Sequence, residues 1–202
     1  FNPGQISGGS TSPLWTILIS LGYLIQPSPF LWTFGLGILS LWNISLLSEI
    51  AVRRHIPTYR TIFPWVGCLL IFEWHLAWAA VSGMETLIFS CVVLWVLLLL
   101  ANDAKPNYFK IGILIGISIW LRPEGITLLG PAILVGVMEK VPFKQKLNSL
   151  LKIGLGFGSL FSLYLIFTLT LTGRPWPTTF YAKQAEYTIL AGQSFIDRFA
   201  GQ

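Results

Sequence analysis

Polar side chains that could do chemistry fall into four short clusters, each bounded by apolar sequence. In chain order the clusters are Asn2-Pro3-Gly4 with Thr11-Ser12-Pro13, Ser82-Gly83-Met84-Glu85-Thr86, Arg122-Pro123-Glu124-Gly125, and Trp176-Pro177-Thr178-Thr179-Phe180-Tyr181-Ala182-Lys183. Carboxylates accept hydrogen bonds from hydroxyl groups, whereas guanidinium and ammonium groups hold phosphate. The sequence shows no P-loop, no metal-ligand spacing and no arrangement of a nucleophile with a histidine. The functional hypothesis therefore depends on whether the clusters meet.

Glu85 precedes a long apolar run, and its position allows two interpretations. A carboxylate at the start of a helix is favoured by the helix dipole and could cap free backbone N–H groups. Alternatively, Glu85 is a metal ligand or accepts a hydrogen bond from a sugar hydroxyl. The sequence leaves both interpretations open.

Arg122 and Glu124 flank Pro123, between two short apolar runs. One interpretation is a local salt bridge between the two side chains. The other is that Arg122 binds a phosphate, because its planar guanidinium matches phosphate oxygens, while Glu124 orients Arg122 or holds a substrate hydroxyl. Helix breaks at membrane depth normally line cavities enclosed by protein, which is the setting that the second interpretation requires.

Three more ionisable residues lie in or beside apolar sequence. Lys183 follows an aromatic stretch, so it is either an interfacial lysine of an aromatic belt or a second phosphate contact. Glu73 and His75 interrupt the apolar run 61–81. Residues two apart on a helix point to different faces, so we predict that they do not pair, and each is either packed and internally bonded or part of a functional site.

The composition places these clusters in a membrane protein. Hydrophobic residues make up 54% of the chain and charged residues only 10%, whereas soluble domains carry about 25% charged residues. Nine Trp and fourteen Phe also suit a bilayer, where aromatic rings favour the interfaces. The net charge of +5 does not indicate nucleic-acid binding, because the cations lie in short loops between apolar runs.

Apolar runs long enough, or nearly long enough, to cross a hydrocarbon core of roughly 30 Å define the expected helices. The expected spans are 30–52, 61–81, 84–101 and 150–172, with two shorter runs at 109–121 and 125–138 and a polar, aromatic tail from Gly173. The run 14–25 is too short to cross alone and is expected to lie in the interface or to dip in and return. The Gly112-xxx-Gly116 and Gly154-x-Gly156-x-Gly158 spacings are typical of close helix packing.

Loop charges predict the orientation of these spans. The loops 53–60, 102–110 and 139–152 hold nine of the thirteen Lys and Arg residues, which makes them cytoplasmic by the positive-inside rule. This topology makes 109–121 and 125–138 a helical hairpin, although one helix kinked at Pro123 is the alternative. It also puts all four polar clusters on the external side. The expected fold class is therefore an all-α membrane protein, a multi-pass bundle of transmembrane helices.

The ordered clusters resemble the motifs of the GT-C superfamily of bacterial integral-membrane glycosyltransferases, which includes arabinosyl- and mannosyltransferase-like proteins. The residues that carry the resemblance are Asn2-Pro3-Gly4, Thr11-Ser12-Pro13-Leu14-Trp15, Ser82-Gly83-Met84-Glu85-Thr86, Arg122-Pro123-Glu124-Gly125, and Trp176-Pro177 with Lys183. The likeness runs through almost the whole chain in the same order and spacing.

The resemblance implies a hexosyl- or pentosyltransferase of the bacterial plasma membrane with its active site on the external face. It would move a sugar from a polyprenyl-phosphate carrier to a glycan, lipid or protein acceptor of the cell envelope. In this family an acidic base lies just upstream of the Asn-Pro-Gly segment. Because the chain begins at Phe1, we expect 1–202 to be a partial domain, without the first helix, the acidic loop and the C-terminal part, and to be inactive alone.

The resemblance implies roles for four residues, and the catalytic base stays unassigned. Arg122 and Lys183 suit the departing lipid phosphate, because cations stabilise the charge that develops there. Glu85 and Glu124 suit the sugar or a divalent metal ion, although no metal ligand set is assigned. Two other functions stay open: a transporter or flippase for a lipid-linked sugar, in which broken helices are common, and a non-catalytic membrane scaffold of the same fold.

Overall fold

The computed structural model describes residues 11–25, 29–101 and 106–191, and within them every regular element is helical, with no β-strand. The helices are α1 Pro13–Ile25, α2 Pro29–His55, α3 Trp65–Ile71, α4 Trp74–Val81, α5 Thr86–Leu100, α6 Tyr108–Leu121, a 3₁₀ helix Pro123–Leu128, α7 Leu129–Met138, α8 Phe143–Thr172 and α9 Thr178–Ala191. The all-α class expected from the sequence is therefore confirmed for the described residues.

Local sequence explains how the first two helices begin and end. Pro13 and Pro29 are the first residues of α1 and α2, a position that favours proline because its missing N–H would have no partner there. The last turn of α2 carries Arg53, Arg54 and His55, and the dipole of the helix favours cations at this end. Both helices agree with the runs 14–25 and 30–52 that the sequence predicted.

The chain divides into two compact units, residues 12–161 and the remainder, which are described separately. In the larger unit, α2 packs against α3, α4 and α5. A Cβ at Gly67 of α3 would lie 3.2 Å from the Ser45 carbonyl oxygen, and a Cβ at Gly37 would collide with the carbonyl of Ala80 in α4. The α3–α4 segment therefore runs antiparallel to α2.

The segment after α6 folds back along that helix. A Cβ at Gly125 would collide with Ser118 near the end of α6, while a Cβ at Gly136 in α7 would lie 3.8 Å from the ring of Tyr108 at its start. The buried residues Leu128 and Ala132 share one apolar cluster with Ile111 and Ile115 of α6. Residues 109–138 thus form the expected hairpin rather than one kinked helix.

The predicted span 61–81 is wrong as a single helix. The chain forms α3 over seven residues and α4 over eight, with a break at Phe72 and Glu73. Glu73 is extended (φ −68°, ψ 122°), and its side chain accepts a hydrogen bond from the Leu76 N–H at 2.8 Å, which caps α4. A glutamate that captures a backbone N–H starts a new helix here instead of sitting inside one.

Within the described residues, two helices are long and apolar enough to cross a membrane, Phe30–His55 and Phe143–Thr172. The pair α4 and α5, bent by 120° at a short break, would count as a third if it is one broken span. The predicted span 84–101 is α5, whose 15 residues cover only about 22 Å at 1.5 Å per residue. In the part of the chain that the structure describes, helices of membrane length are thus fewer than the sequence runs suggested.

Large apolar side chains cover much of the surface. They include Leu24 at 82%, Phe72 at 85%, Trp74 at 72% and Leu155 at 67% relative exposure. Monomeric soluble proteins seldom expose wide apolar patches, so this surface is typical of a protein that contacts lipid.

The smaller unit contains the end of α8 and all of α9. Thr168 Oγ1 lies within hydrogen-bond distance of the Pro175 carbonyl oxygen, at 3.2 Å, and of the Tyr164 carbonyl oxygen in its own helix, at 3.0 Å, so the turn after α8 packs back on that helix. Arg174 lies over the Tyr181 ring at 4.9 Å. The tail expected from Gly173 therefore contains a further helix, which its polar composition did not indicate.

Candidate functional site

The second and third polar clusters meet in an ion pair between Glu85 and Arg122. Arg122 Nε donates to Glu85 Oε1 at 2.9 Å, although the residues are 37 positions apart. The Glu85 side chain is 13% exposed and the Arg122 side chain 35%. The guanidinium also lies 5.9 Å from the centroid of the Phe89 ring, one turn along α5 from Glu85. Protein therefore surrounds the pair on one side and leaves the other side open.

Each partner lies at a helix end that local sequence defines. Glu85 directly precedes α5, after Gly83, whose φ of 76° is readily adopted only by glycine. Arg122 is extended (φ −153°, ψ 132°) at the end of α6, because the residue before a proline is disfavoured in the helical region. The two breaks between helices, before α5 and after α6, thus bring a carboxylate and a guanidinium together.

Glu85 does not cap α5. It occupies the N-cap position with helical backbone angles, and its side chain makes no capping hydrogen bond. The capping interpretation is therefore wrong, because the carboxylate turns to Arg122 and away from the backbone N–H groups. Among the described residues, Glu85 Oε2 and the terminal amino groups of Arg122 have no protein partner, so both sides of the pair retain free bonding capacity.

Trp15, two residues after the first cluster, reaches the same break. The buried indole Nε1 donates to the carbonyl oxygen of Gly83 at 3.0 Å. Trp15 packs in a cluster with Val92 of α5 and Leu121 of α6. Its ring therefore holds together the helices that carry Glu85 and Arg122. Asn2-Pro3-Gly4 lies outside the described residues.

Glu124 and Lys183 are not part of this contact. Glu124 is exposed in the 3₁₀ helix, and no ion pair among the described residues joins it to Arg122, so the local salt bridge expected as one alternative is wrong. Lys183 belongs to α9 in the smaller unit, and its side chain lies outside the described part of the structure.

Glu73 and His75 form the pair that the sequence analysis excluded. His75 Nδ1 lies 2.7 Å from Glu73 Oε1. The prediction failed because Glu73 is extended and outside the helix, so the spacing of two residues does not separate the side chains as it would on one helix. His75 is 88% exposed at its side chain, so this pair lies on the surface and is not packed inside a span.

A buried carboxylate that the sequence analysis did not single out is Glu49 of α2, at 5% exposure. It accepts hydrogen bonds from Arg53 Nε at 2.7 Å, Tyr59 Oη at 3.4 Å and the backbone N–H groups of Val66 and Gly67 at 3.1 and 3.2 Å. Its spacing of four residues from Arg53, within an apolar run, is the signal that could have identified it. Both carboxylate oxygens are held by these groups, so Glu49 is a structural anchor for the start of α3, and it also lines an apolar cavity of about 200 Å³.

A cleft of about 370 Å³ adjoins the break between α4 and α5. Its lining combines aromatic rings, hydroxyl groups and backbone from α1, α2 and the break: Tyr23, Phe30, Thr33, Phe34, Val81, Ser82 and Gly83. Gly83 belongs both to this cleft and to the contact with Trp15, so the cleft and the ion pair share one segment of chain.

Within the described residues, no three His, Cys, Asp or Glu side chains come together as a metal-binding group. The pair itself supplies one carboxylate and one guanidinium, which suits a ligand with both a hydroxyl group and a phosphate. Comparison of the chain with protein-family models, with curated protein sequences and with solved structures finds no match.

Proposed function

We propose that this chain belongs to a membrane glycosyltransferase that moves a sugar from a polyprenyl-phosphate carrier to an acceptor of the bacterial cell envelope outside the cytoplasm. The observation that carries the proposal is the ion pair of Glu85 with Arg122. Two clusters of the resemblance that lie far apart in sequence meet there, and a third reaches them through Trp15.

The unused hydrogen-bonding groups of the pair suit the phosphate and the sugar of such a donor. A guanidinium with unoccupied terminal amino groups can hold a phosphate through two parallel hydrogen bonds, and positive charge there stabilises the departing lipid phosphate. The unoccupied oxygen of Glu85 can accept a hydrogen bond from a sugar hydroxyl. Glu124 and Lys183 remain proposed substrate contacts, and a divalent metal ion has no assigned ligands and no assigned step.

The cleft beside Gly83 supports a sugar as the ligand. Sugars present apolar C–H faces and polar hydroxyl rims, and the lining of this cleft combines aromatic rings with the polar residues Thr33 and Ser82. The apolar surface of α1, at the same end of the unit, would face lipid and receive the polyprenyl chain.

The proposed membrane arrangement is multi-pass, in the bacterial plasma membrane. We take α2 and α8 as membrane-crossing segments, and we take the α3–α5 segment and the hairpin of α6 and α7 as two pairs that enter from the cytoplasmic side and turn back at their breaks. The lysine-rich loops would be cytoplasmic by the positive-inside rule, and the Glu85–Arg122 pair would face the exterior.

The experiment is a transfer assay on the full-length protein in proteoliposomes, with polyprenyl-phosphate sugars as donors. Arg122→Ala should lower turnover by roughly 100-fold, the typical effect of losing one group that stabilises developing charge. The matched control is Arg54→Ala, an exposed arginine of α2, which should keep turnover within about 2-fold of the parent protein.

A charge swap separates catalysis from structure. The double variant Glu85→Arg with Arg122→Glu should keep the ion pair and regain thermal stability, yet stay inactive, because the phosphate would then meet a carboxylate. Recovery of turnover in the swapped protein would show that the pair serves only the fold, and the proposed site would be abandoned.

The bent α4–α5 pair favours one other function, a carrier for the same lipid-linked sugar, since broken helices are common in transporters. The same proteoliposomes distinguish the two. A transferase releases free polyprenyl phosphate as sugar reaches the acceptor, whereas a carrier moves intact donor across the bilayer. A scaffold would do neither.

A further inference from the structure

The start of α6, the end of α7 and the start of α8 come together at one end of the larger unit. A Cβ at Gly136 would lie 3.5 Å from Leu150 and 3.8 Å from Tyr108. Lys146 Nζ donates to the Val137 carbonyl at 2.7 Å, which fixes the first turn of α8 against α7. The convergence collects four exposed lysines that we call the basic end: Lys110, Lys140, Lys144 and Lys152.

Within the described residues, almost no negative charge compensates the basic end. Glu139 is the only acidic residue in the segments 106–110 and 136–152, and no ion pair among the described residues involves any of the four lysines. Four exposed lysines on converging helix ends form a positively charged surface that attracts anions from outside the chain.

The length of α8 puts this end at the level of lipid headgroups. Its 30 residues extend about 45 Å, against roughly 30 Å for a hydrocarbon core. All of its charged residues lie in 143–152, and the 20 residues 153–172 carry none. The uncharged part matches the core in length, so the charged part extends about 15 Å beyond it.

An apolar stripe runs from the basic end along the outer face of α8. Phe143, Leu147, Leu151 and Leu155 recur at intervals of four residues and are 80%, 47%, 56% and 67% exposed. Lys144 and Lys152 each follow one residue after a member of the stripe. A free phosphate would contact only the lysines, whereas a phospholipid could also lay an acyl chain on the stripe.

We propose that the basic end binds the headgroup of an anionic phospholipid, with an acyl chain of that lipid along the stripe of α8. Lysines next to a membrane surface bind anionic headgroups, and each contributes a factor of about 5 in affinity. Lys152, which lies deeper, reaches the headgroup level by extending its side chain toward the start of α8, the direction in which helical Cα–Cβ bonds tilt. This site is independent of glycosyl transfer.

The experiment uses the full chain in non-ionic detergent, with native mass spectrometry to count bound lipids and to measure the Kd for phosphatidylglycerol and phosphatidylcholine. The chain should retain phosphatidylglycerol in preference to phosphatidylcholine. Lys144→Gln with Lys152→Gln should weaken that binding between about 5-fold and 25-fold. Leu151→Asn should weaken both lipids, because it interrupts the stripe.

The matched control is Arg54→Gln with Arg60→Gln, which removes two exposed cations remote in sequence from the basic end. It should change the Kd less than 2-fold. An equal loss in this control would attribute the binding to net charge and overturn the site. Equal retention of both lipids would overturn it as well, as would displacement by soluble glycerol phosphate at millimolar or lower concentration, which would indicate a free-phosphate site.

Discussion

Glu49 and Glu85 are two carboxylates in one apolar protein, and they differ in how completely the protein satisfies them. Glu49 is 5% exposed and accepts from a guanidinium, a phenol and two backbone N–H groups. Glu85 accepts from one guanidinium and keeps an open side. A carboxylate whose two oxygens are both bonded from within the chain stabilises the fold, whereas one with a free oxygen can bind a ligand.

The difference follows from what surrounds each residue. Glu49 lies within α2, where α3 begins against it, and the first N–H groups of a helix have no partner inside that helix. Glu85 lies where the break between α4 and α5 meets the break after α6, so fewer backbone groups face it. Position relative to other elements, and not residue type, therefore separates the anchor from the candidate site.

The largest expected effect is on the anchor. Glu49→Ala removes the acceptor for Val66 and Gly67 and leaves Arg53 without its partner, so we expect a fall in Tm on the order of 10 °C. Thermal unfolding in detergent measures it. Glu124→Ala, at an exposed position, is the control and should change Tm by less than about 2 °C. Similar losses in both variants would remove the contrast between the two carboxylates.

Gly37 tests whether the helix break before Glu85 can be disturbed without disturbing the contacts of Glu49. A Cβ there collides with Ala80 of α4, which leads into the break before Glu85, and overpacking costs about 1–3 kcal/mol. Gly37→Ala should therefore increase hydrogen exchange in 82–89 and leave Val66 and Gly67 protected. Gly35→Ala, with nothing within 4 Å of its Cβ, should leave exchange unchanged. Increased exchange both in 82–89 and at Val66 and Gly67 would mean that the two regions cannot be disturbed separately.

The smallest expected effect on stability is at the candidate site. Arg122→Ala breaks one partly exposed ion pair, which contributes roughly 1 kcal/mol, so Tm should fall by only about 2–4 °C. Turnover should nevertheless fall much more than in any variant of the anchor at temperatures where both are folded. A loss of Tm as large as that of Glu49→Ala would show that the Glu85–Arg122 pair, like Glu49, serves to stabilise the fold.

Particular residues show why sequence reasoning reached part of the fold and site. The hairpin of α6 and α7 was predictable because loop charges constrain which helix ends share a side. Gly112, Gly116 and Gly156 do lie at close helix contacts, as their spacing predicted, but Gly154 and Gly158 have open space around them. The helix break at Glu73 was missed because composition records how apolar a run is and not whether a side chain caps it.

The sequence by itself determined the helical class, the apolar surface and the identity of the polar clusters, because these depend on composition and on periodic patterns along the chain. Only the tertiary structure decided which polar groups are partners. It paired Arg122 with Glu85 and not with Glu124, and it brought backbone N–H groups of α3 to the Glu49 carboxylate. Helix packing decides which groups distant in sequence meet, and buried donors are stable only where they meet acceptors.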